Sequence, residues 1–338
     1  MAKSKDKINI LFVPYSSSTF IKKDLEFLQK HFDVKPVKWR GKRDIINIAF
    51  GVLKSDVVFS WFAFDYAAVA VFFSKLFQKK SIVIVGGGDV AYVPEINYGQ
   101  FTLGWHKRML TKFALKHADR VLVVDPSLKK QIKYLLQKPC NHVKYLPTGY
   151  DSEYFKPHGK KKNIVLTVGA VKKGNIKRKD FETFVKVAKK FPDISFVLAG
   201  KHIDDSIQYL KKIAPSNVTF TGFISDEKLL DLYQKSRVYC QLSRHEGLPN
   251  ALCEAMLCEC IPVGSFQNGI PRAIANTGFY ASWGDIEETT EALNKAIAAH
   301  IKKGKEARKR IKHKFPMEKR EKTIIKLLKN IKKKNKEL

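Results

Sequence analysis

Two glutamates, Glu246 and Glu254, lie in the stretch SRHEGLPNALCEAM with seven residues between them. A carboxylate accepts two hydrogen bonds at once, which matches a vicinal diol such as the 2′,3′ pair of a ribose. Glu254 would bind that diol, and Glu246 would bind a second set of hydroxyl groups. The spacing fits equally well a helix-capping acid followed by a solvated surface acid, and by itself it does not decide between the two.

The turn between the two acids follows the strand-like run VYCQLS and leads into a helix-like run. Proline is favoured at the first position of a helix, so we expect the helix to begin near the proline of this turn. The first backbone amides of a helix have no acceptor within it and suit a phosphate or a sugar hydroxyl. The candidate donor-binding residues of this turn are Gly247, Leu248, Pro249 and Asn250.

A pair of cations, Arg178 and Lys179, follows the strand-like run IVLTVGA and precedes a predicted helix that begins at Phe181. Cations at a helix start oppose the helix dipole, so local stability does not require them there. A bound diphosphate would require two such cations, because Arg can bind two phosphate oxygens at once and Lys supplies a point charge. A solvated Lys/Arg run in a lysine-rich chain is the alternative.

Three glycines and an aspartate end the buried run IVIVGGGD. Glycines allow close approach of the backbone and can form an anion-binding nest. The run does not match the G-x-G-x-x-G dinucleotide fingerprint. Gly87, Gly88 and Asp89 are therefore candidates for the acceptor side, where we expect Asp89 to face a cleft and either to orient a substrate hydroxyl or to cap the next turn.

All of these residues follow strands in a chain whose segments alternate between strand-like and helix-like. Each strand is nearly continuous in apolar residues, which predicts α/β domains with parallel sheets covered on both faces. Ligands bind at the carboxyl ends of the strands in such sheets. We predict two doubly wound, Rossmann-like domains facing across a cleft, at residues 1–150 and 151–315. A basic helix at 316–338 follows, and packing on the first domain is one option for it.

The charge of the chain is strongly positive, with 63 Lys and Arg against 32 Asp and Glu in 338 residues and a formal net charge of +31. Such a field attracts polyanions, although lysine-rich usage can also reflect the source of a protein. The aromatic–basic signature of an RNA-recognition domain is missing, so nucleic acid is not expected as a partner. The segment Val34–Lys54, cationic and then apolar, fits either a packed helix or docking on anionic lipid headgroups.

Four of the five cysteines lie between Cys240 and Cys260, with His245 nearby. Their spacing differs from paired C-x2-C zinc ligands and their neighbours are apolar, which favours small buried thiols over a zinc site. No D-x-D motif is present either, so we expect no metal. We predict a cytoplasmic protein, because the cysteines are of the buried, free kind and no signal-peptide pattern is present. The longest apolar run is interrupted by Asp65, so it is not expected to span a membrane. A peripheral position at the inner face of a membrane is left open.

Taken together, these residues resemble glycosyltransferase family 4, the retaining, nucleotide-sugar-dependent enzymes of GT-B fold. The E-x7-E motif of the family matches Glu246 and Glu254, and its interdomain segment is similar to LPTGYDSEYFKP. In that family the second acid binds the ribose and the first contacts donor-sugar hydroxyls near the reacting carbon. The amides between them meet sugar and phosphate, and an Arg/Lys pair, here Arg178 and Lys179, neutralises the diphosphate.

The chain departs from the family in three places. The family usually has Lys-Gly where this chain has Lys179 and Asp180, which puts an acid beside the phosphate site. The first strand is followed by serines, in FVPYSSSTF, instead of a glycine-rich loop. The histidine of the family's first domain has no match, and Asp89 is the candidate for its role.

The resemblance implies a hexosyltransferase that moves sugar from a nucleoside-diphosphate sugar to a hydroxyl of a glycan or lipid-linked acceptor, with no metal or other cofactor. A front-face route fits, in which the departing phosphate oxygen takes the acceptor proton while Arg178 and Lys179 stabilise its charge. Glu246 is the third candidate catalytic residue. The alternatives are a sugar-nucleotide epimerase or phosphorylase of the same fold and, more remotely, a nucleic-acid-binding protein. The base, the sugar, the acceptor and the oligomeric state are not fixed by the sequence.

Overall fold

The computed structural model of the chain describes residues 7–14 and 18–336. Residues 15–17, within the serine segment that replaces the family's glycine-rich loop, and the last two residues of the predicted C-terminal helix lie outside the described residues. The described chain forms two compact units. The first contains the residues up to 94, residues 98–149 and the chain from 317 onward, and the second contains residues 95–97 and 150–316.

The first unit is built on a six-stranded parallel sheet in the order β2-β1-β3-β4-β5-β6. Its strands are β1 (Asn9–Val13), β2 (Asp33–Pro36), β3 (Val57–Trp61), β4 (Lys80–Val85), β5 (Arg120–Val123) and β6 (Val143–Tyr145). Its connecting helices are α1 (Thr19–His31), α2 (Ile45–Leu53), α3 (Asp65–Leu76), α4 (Trp105–His117) and α5 (Pro126–Leu136).

The second unit is built on another six-stranded parallel sheet, in the order β12-β11-β10-β7-β8-β9. Its strands are β7 (Lys162–Val168), β8 (Ser195–Ala199), β9 (Val218–Gly222), β10 (Ser236–Gln241), β11 (Ile261–Ser265) and β12 (Phe279–Ala281). Its helices are α6 (Lys173–Lys179), α7 (Phe181–Val187), α8 (Ser206–Ile213), α9 (Asp226–Lys235), α10 (Asn250–Leu257), α11 (Ile270–Ile274), α12 (Ile286–Ala298) and α13 (Lys302–Lys314).

Both sheets are doubly wound, because each adds strands to both sides of its first strand. The order reverses between β1 and β3 in the first sheet and between β7 and β10 in the second. Ligands of open α/β sheets bind outside the carboxyl ends of the strands at such a reversal. The predicted α/β class with two Rossmann-like sheets, the GT-B type, is confirmed. Among the helices of the described chain, none combines the length and apolarity needed to cross a bilayer.

The last helix, α14 (Met317–Lys336), packs on α1 of the first unit. Arg320 anchors it, because its guanidinium forms a two-pronged ion pair with the Asp24 carboxylate, Nη2 to Oδ2 at 2.6 Å and Nε to Oδ1 at 2.8 Å. The Trp61 indole also donates to Asp24, and the Pro147 carbonyl accepts from Arg320 Nη1 at 2.7 Å. Both charged side chains are 2% exposed. The pair therefore joins the first turn of α14 to α1.

Replacing Arg320 by Met should lower the free energy of unfolding by about 3–5 kcal/mol, because Asp24 then stays buried without its counterion. Lys319→Met, an exposed change on the same helix, is the matched control and should stay within about 0.5 kcal/mol. Urea unfolding followed by circular dichroism measures both. Equal stability of the two variants would show that α14 is held by other contacts.

Candidate functional site

The carboxyl ends of β7 and β10 meet at the reversal point of the second sheet, and each is followed by a loop with candidate residues. The chain after β7 forms α6, which carries Arg178 and Lys179. The chain after β10 carries Glu246 and then forms α10. A backbone hydrogen bond from the Arg244 amide to the Arg178 carbonyl, at 2.7 Å, ties the two loops together. The sheet topology thus brings together residues that are almost 70 positions apart in sequence.

The Glu246 carboxylate is the centre of this cluster. Its Oε1 lies 2.9 Å from Arg178 Nη1 and 3.1 Å from Lys179 Nζ. The same oxygen accepts hydrogen bonds from Ser243 Oγ at 3.0 Å and from Gln241 Nε2 at 3.4 Å. The three charged side chains keep only 11–16% of their surface exposed. Two cations and one carboxylate leave one excess positive charge at the carboxyl ends of β7 and β10.

Electrostatics fix the charge states of this cluster. Burial alone would raise the pKa of Glu246, but Lys179 and Arg178 outweigh it and hold the pKa at about 2. Burial lowers the pKa of Lys179, and Glu246 opposes that shift. Burial also lowers the pKa of the neighbouring His245 to about 4, so its imidazole is neutral at pH 7. At neutral pH the cluster therefore contains a carboxylate whose negative charge depends on the two cations beside it.

The cluster is supported by polar side chains that the sequence patterns do not single out. Gln241, the last residue of β10, donates to Ser243 Oγ at 2.7 Å and accepts from Tyr239 at 3.3 Å. On the other loop, Asn175 donates to the Ala170 carbonyl and accepts from Arg178 Nε at 3.2 Å. A polar residue at the end of a buried strand is the one sequence signal that could have indicated Gln241. Asn175 has no such signal.

The predicted helix that begins at Phe181 is present as α7, and Arg178 and Lys179 precede it. The sequence analysis missed α6, whose last turn contains both cations. Cations in a last helical turn are favoured by the helix dipole, so the dipole argument for a ligand does not hold. The argument for an anion site rests instead on the cluster's charge. Lys179 also crosses Gly169, where an added Cβ would come within 2.6 Å of Lys179 Cδ.

Asp180 occupies the joint between α6 and α7 in a left-handed conformation, with φ 54° and ψ 45°. Glycine adopts this conformation freely and Asp is among the few other residues that tolerate it, which accounts for the difference from the family's Lys-Gly. The carboxylate accepts a hydrogen bond from the Gly284 amide at 2.8 Å, and burial raises its pKa. This acid is therefore engaged with the backbone of the loop between β12 and α12.

Glu254 lies on α10, where Oε2 accepts a hydrogen bond from the buried Tyr233 hydroxyl at 3.2 Å. The helix begins at Asn250, so Pro249 is its N-cap and not its first residue. Asn250 Oδ1 accepts from Tyr150 at 2.8 Å, and Leu248 is buried in the turn. The predicted turn into a helix with Pro249 near its start is present.

The acceptor-side candidates lie in the first unit, after β4, and their environment favours a structural role. Asp89 is 0% exposed, and its carboxylate accepts from the amides of Ala63 at 2.9 Å and Gly87 at 2.8 Å. Burial raises its pKa to about 6, against the lowering effect of these bonds. An added Cβ on Gly88 would meet the Tyr98 hydroxyl at 2.8 Å. The expectation that Asp89 faces a cleft is wrong, because it joins the loops after β3 and β4 instead.

The cysteines of the second unit, Cys240, Cys253, Cys258 and Cys260, are all buried and free. Burial raises the pKa of each thiol, that of Cys253 to about 12, so the sulfurs stay protonated. This agrees with small buried thiols. Within the part of the chain that the structure describes, no group of three or more His, Cys, Asp or Glu side chains is arranged to hold a metal ion.

Residues 151–315, which form almost all of the second unit, match a family model described as glycosyl transferases, group 1. Two curated relatives are similar in sequence. The GPI3 subunit of phosphatidylinositol N-acetylglucosaminyltransferase from Saccharomyces cerevisiae is 26% identical over 218 residues, 59% of this chain and 47% of the relative. The alpha-galactosylglucosyldiacylglycerol synthase of Streptococcus pneumoniae is 26% identical over 277 residues, 73% of this chain and 71% of the relative. This chain thus spans about half the length of the yeast protein.

One solved structure illustrates the likeness in fold. The Anabaena protein HepE, in complex with UDP and glucose, superposes with a TM-score of 0.80 over 96% of this chain and 100% of its own. The sequence identity is 14%, so the comparison supports the fold alone.

Replacing Glu246 by Gln should lower the free energy of unfolding by about 3 kcal/mol, because Arg178 and Lys179 then face each other without an anion. Pyrophosphate should restore part of this loss and should stabilise the variant more than the wild type. Thermal unfolding with and without pyrophosphate measures both effects.

Glu182→Gln is the matched control for Glu246→Gln, because Glu182 forms an exposed ion pair with Lys186. Its loss should be below about 1 kcal/mol. If pyrophosphate stabilises the wild type and Glu246→Gln equally, the carboxylate and the phosphate do not compete for the same cations.

Proposed function

We propose that this chain, whose residues 151–315 match the family model of glycosyl transferases, group 1, is a retaining hexosyltransferase that takes its sugar from a nucleoside-diphosphate sugar. The observation that carries the proposal is the cluster of Arg178, Lys179 and Glu246 at the reversal point of the second sheet. A nucleoside diphosphate is the kind of ligand that an excess positive charge at such a point would bind.

Arg178 and Lys179 would hold the diphosphate. Arg178 is already oriented by Asn175 and by the His245 carbonyl, so its guanidinium is pre-organised for two phosphate oxygens. Lys179, confined between Gly169 and Glu246, would act as a point charge. Since both side chains are paired with Glu246, diphosphate binding would exchange one anionic partner for another.

Glu246 would then be released toward the sugar. Its four hydrogen-bond donors within the described chain all reach Oε1, so the second oxygen is available for a donor-sugar hydroxyl. Glu254 lies on α10 and is held by the hydroxyl of Tyr233 from α9. It would accept hydrogen bonds from the ribose hydroxyls. The turn formed by residues 247–250 would contact the sugar and the phosphate through its backbone.

The transfer step would follow a front-face route. The acceptor oxygen bonds to the anomeric carbon as the bond from that carbon to the phosphate oxygen breaks, and the departing oxygen takes the acceptor proton. Arg178 and Lys179 stabilise the negative charge that grows on that oxygen. Two side-chain cations would do the charge neutralisation that a divalent metal does elsewhere, so we propose a metal-independent reaction. The sugar keeps its configuration because the acceptor arrives on the face that the phosphate leaves.

A lipid-linked hydroxyl is the acceptor that we propose. The yeast relative is named for phosphatidylinositol and the streptococcal relative for a diacylglycerol glycolipid. A third relative, from Campylobacter jejuni, is named for an undecaprenol-linked substrate and is 27% identical over 64% of this chain. We propose accordingly that the protein works at the surface of a membrane, on its cytoplasmic face.

Thermal unfolding in the presence of UDP, GDP and ADP tests the donor site first. One diphosphate at about 100 times its Kd should stabilise the wild type by about 2.7 kcal/mol, and Glu254→Ala should lose that gain. Glu291→Ala, an exposed acid on α12, is the control and should keep it. Absence of stabilisation by every diphosphate would remove the transferase proposal.

Replacing Arg178 or Lys179 by Ala should lower kcat by roughly 10²–10³, because each removes charge stabilisation from the departing phosphate. Lys177→Ala, an exposed change on the same helix, should leave kcat unchanged. Sugar transfer is measured with the diphosphate series found above, and the anomeric configuration of the product by NMR. An inverted product, an epimerised nucleotide sugar or a sugar phosphate would each contradict the mechanism.

A further inference from the structure

The outer surface of α2, α3 and α4 in the first unit exposes large apolar side chains. The three helices are adjacent, because α3 packs against both α2 and α4. Trp105 is 72% exposed, Ile46 64% and Phe72 51%. We name as the helical face the six exposed residues Ile46, Phe50, Phe72, Leu76, Trp105 and Met109.

The spacing of these residues shows that they form ridges. Each helix contributes two of them four positions apart, for example Phe72 and Leu76 on α3, so the two side chains lie one above the other on the same side of the helix. A groove of about 320 Å³ runs among the three helices, lined by Ile45, Leu110 and other apolar side chains. Single exposed apolar residues are ordinary, but a contiguous patch of this kind marks a binding surface.

Cations accompany the apolar ridges. Arg108 is exposed on α4, and Lys112 and Lys116 lie one and two turns further along the same side of the helix as Trp105 and Met109. Arg43 precedes α2 and Lys54 follows it, both exposed. The sequences of the three helices contain a single acid, the aspartate that begins α3. The surface is therefore apolar at its ridges and positive around them.

We propose that the helical face docks on a lipid bilayer whose headgroups are anionic. The apolar side chains would enter the boundary between headgroups and acyl chains, and the cations would bind lipid phosphates. A second copy of the chain is disfavoured as the occupant, since a two-fold contact would set the cations of one face against those of the other.

Docking deepens the proposed function, since it gives a lipid-linked acceptor a place to meet the protein. Both α2 and α4 return from the carboxyl edge of the first sheet, so Ile46 and Trp105, near their starts, lie close to the edge where α/β sheets bind ligands. Other helices expose isolated apolar residues, such as Tyr134 on α5. The pairing of ridges and cations is what distinguishes the helical face from these.

The test is co-sedimentation with vesicles made of phosphatidylcholine and phosphatidylglycerol, compared with vesicles of phosphatidylcholine alone. The wild type should bind only the anionic vesicles, and more weakly as salt is raised. Reversing three charges, with Arg108→Glu, Lys112→Glu and Lys116→Glu, should weaken binding about 100-fold, since each cation near an anionic surface strengthens it roughly fivefold. Phe72→Ser with Trp105→Ser should weaken it about tenfold or more.

Matched controls carry comparable changes elsewhere. Lys302→Glu, Lys305→Glu and Lys309→Glu on α13 control for charge, and Tyr134→Ser with Ile301→Ser controls for exposed apolar area. Equal binding by controls and face variants would overturn the proposal. So would a wild type that ignores the vesicles but dimerises through Phe72 and Trp105 in light scattering.

Stabilisation by nucleoside diphosphate, measured on every variant, separates docking from the transferase proposal. The face variants should keep it. A wild type that binds vesicles without responding to any diphosphate would support docking and contradict the proposed function. A wild type with the opposite behaviour would overturn docking alone.

Discussion

The candidate site depends on one carboxylate, that of Glu246, which holds two cations together where β7 and β10 end. Two nearly buried cations repel each other unless an anion lies between them, and burying each of them is itself costly. Glu246 supplies the anion, and Ser243 and Gln241 fix its position against β10. Because one carboxylate neutralises only one of the two cations, the cluster stays positive. That excess, and not the mere presence of Arg and Lys in sequence, is what suits the site to an anionic ligand.

The break between α6 and α7 orients the two cationic side chains toward that carboxylate. A continuous helix from 173 to 187 would carry Arg178 and Lys179 on its middle turns, and their side chains would point in directions set by helical spacing alone. The left-handed residue Asp180 ends α6 directly after Lys179. Gly169 then leaves room for the Lys179 side chain to cross the end of β7. Asp180, which stands where the family has glycine, thus helps to set the directions of the Arg178 and Lys179 side chains.

The sequence predicts well what local pattern determines, and poorly what depends on tertiary context. Continuous apolar runs identify strands such as β3, whose five residues are all buried. The edge strand β2, mostly exposed, and β11, which contains Pro262 and Gly264, lack that signal. The helix break at Asp180 interrupts no hydrophobic periodicity, and the burial of Asp89 depends on amides 26 and 2 residues away. The partnership of Arg320 with Asp24 spans 296 residues, beyond any sequence window. The strand before Glu246 and the helix that contains Glu254, by contrast, follow from local pattern, so the sequence correctly places Glu246 in the loop after a strand end.

The two explanations of the positive charge, a lysine-rich source or an anionic partner, can be separated by position. A bias in composition adds lysines at solvent-exposed positions. Many lysines of this chain are exposed in this way, such as Lys295, which pairs with Glu291 one turn earlier on the same helix. Such a bias does not bury Arg178 and Lys179 around one carboxylate, since burial of a cation is opposed by desolvation. Nor does it place pairs of exposed aromatic and aliphatic side chains beside lysines on three neighbouring helices, because apolar exposure has its own cost. Composition can add to the size of the net charge, while the two places where charge accompanies an unfavourable arrangement are the ones that the proposed diphosphate and lipid ligands would explain.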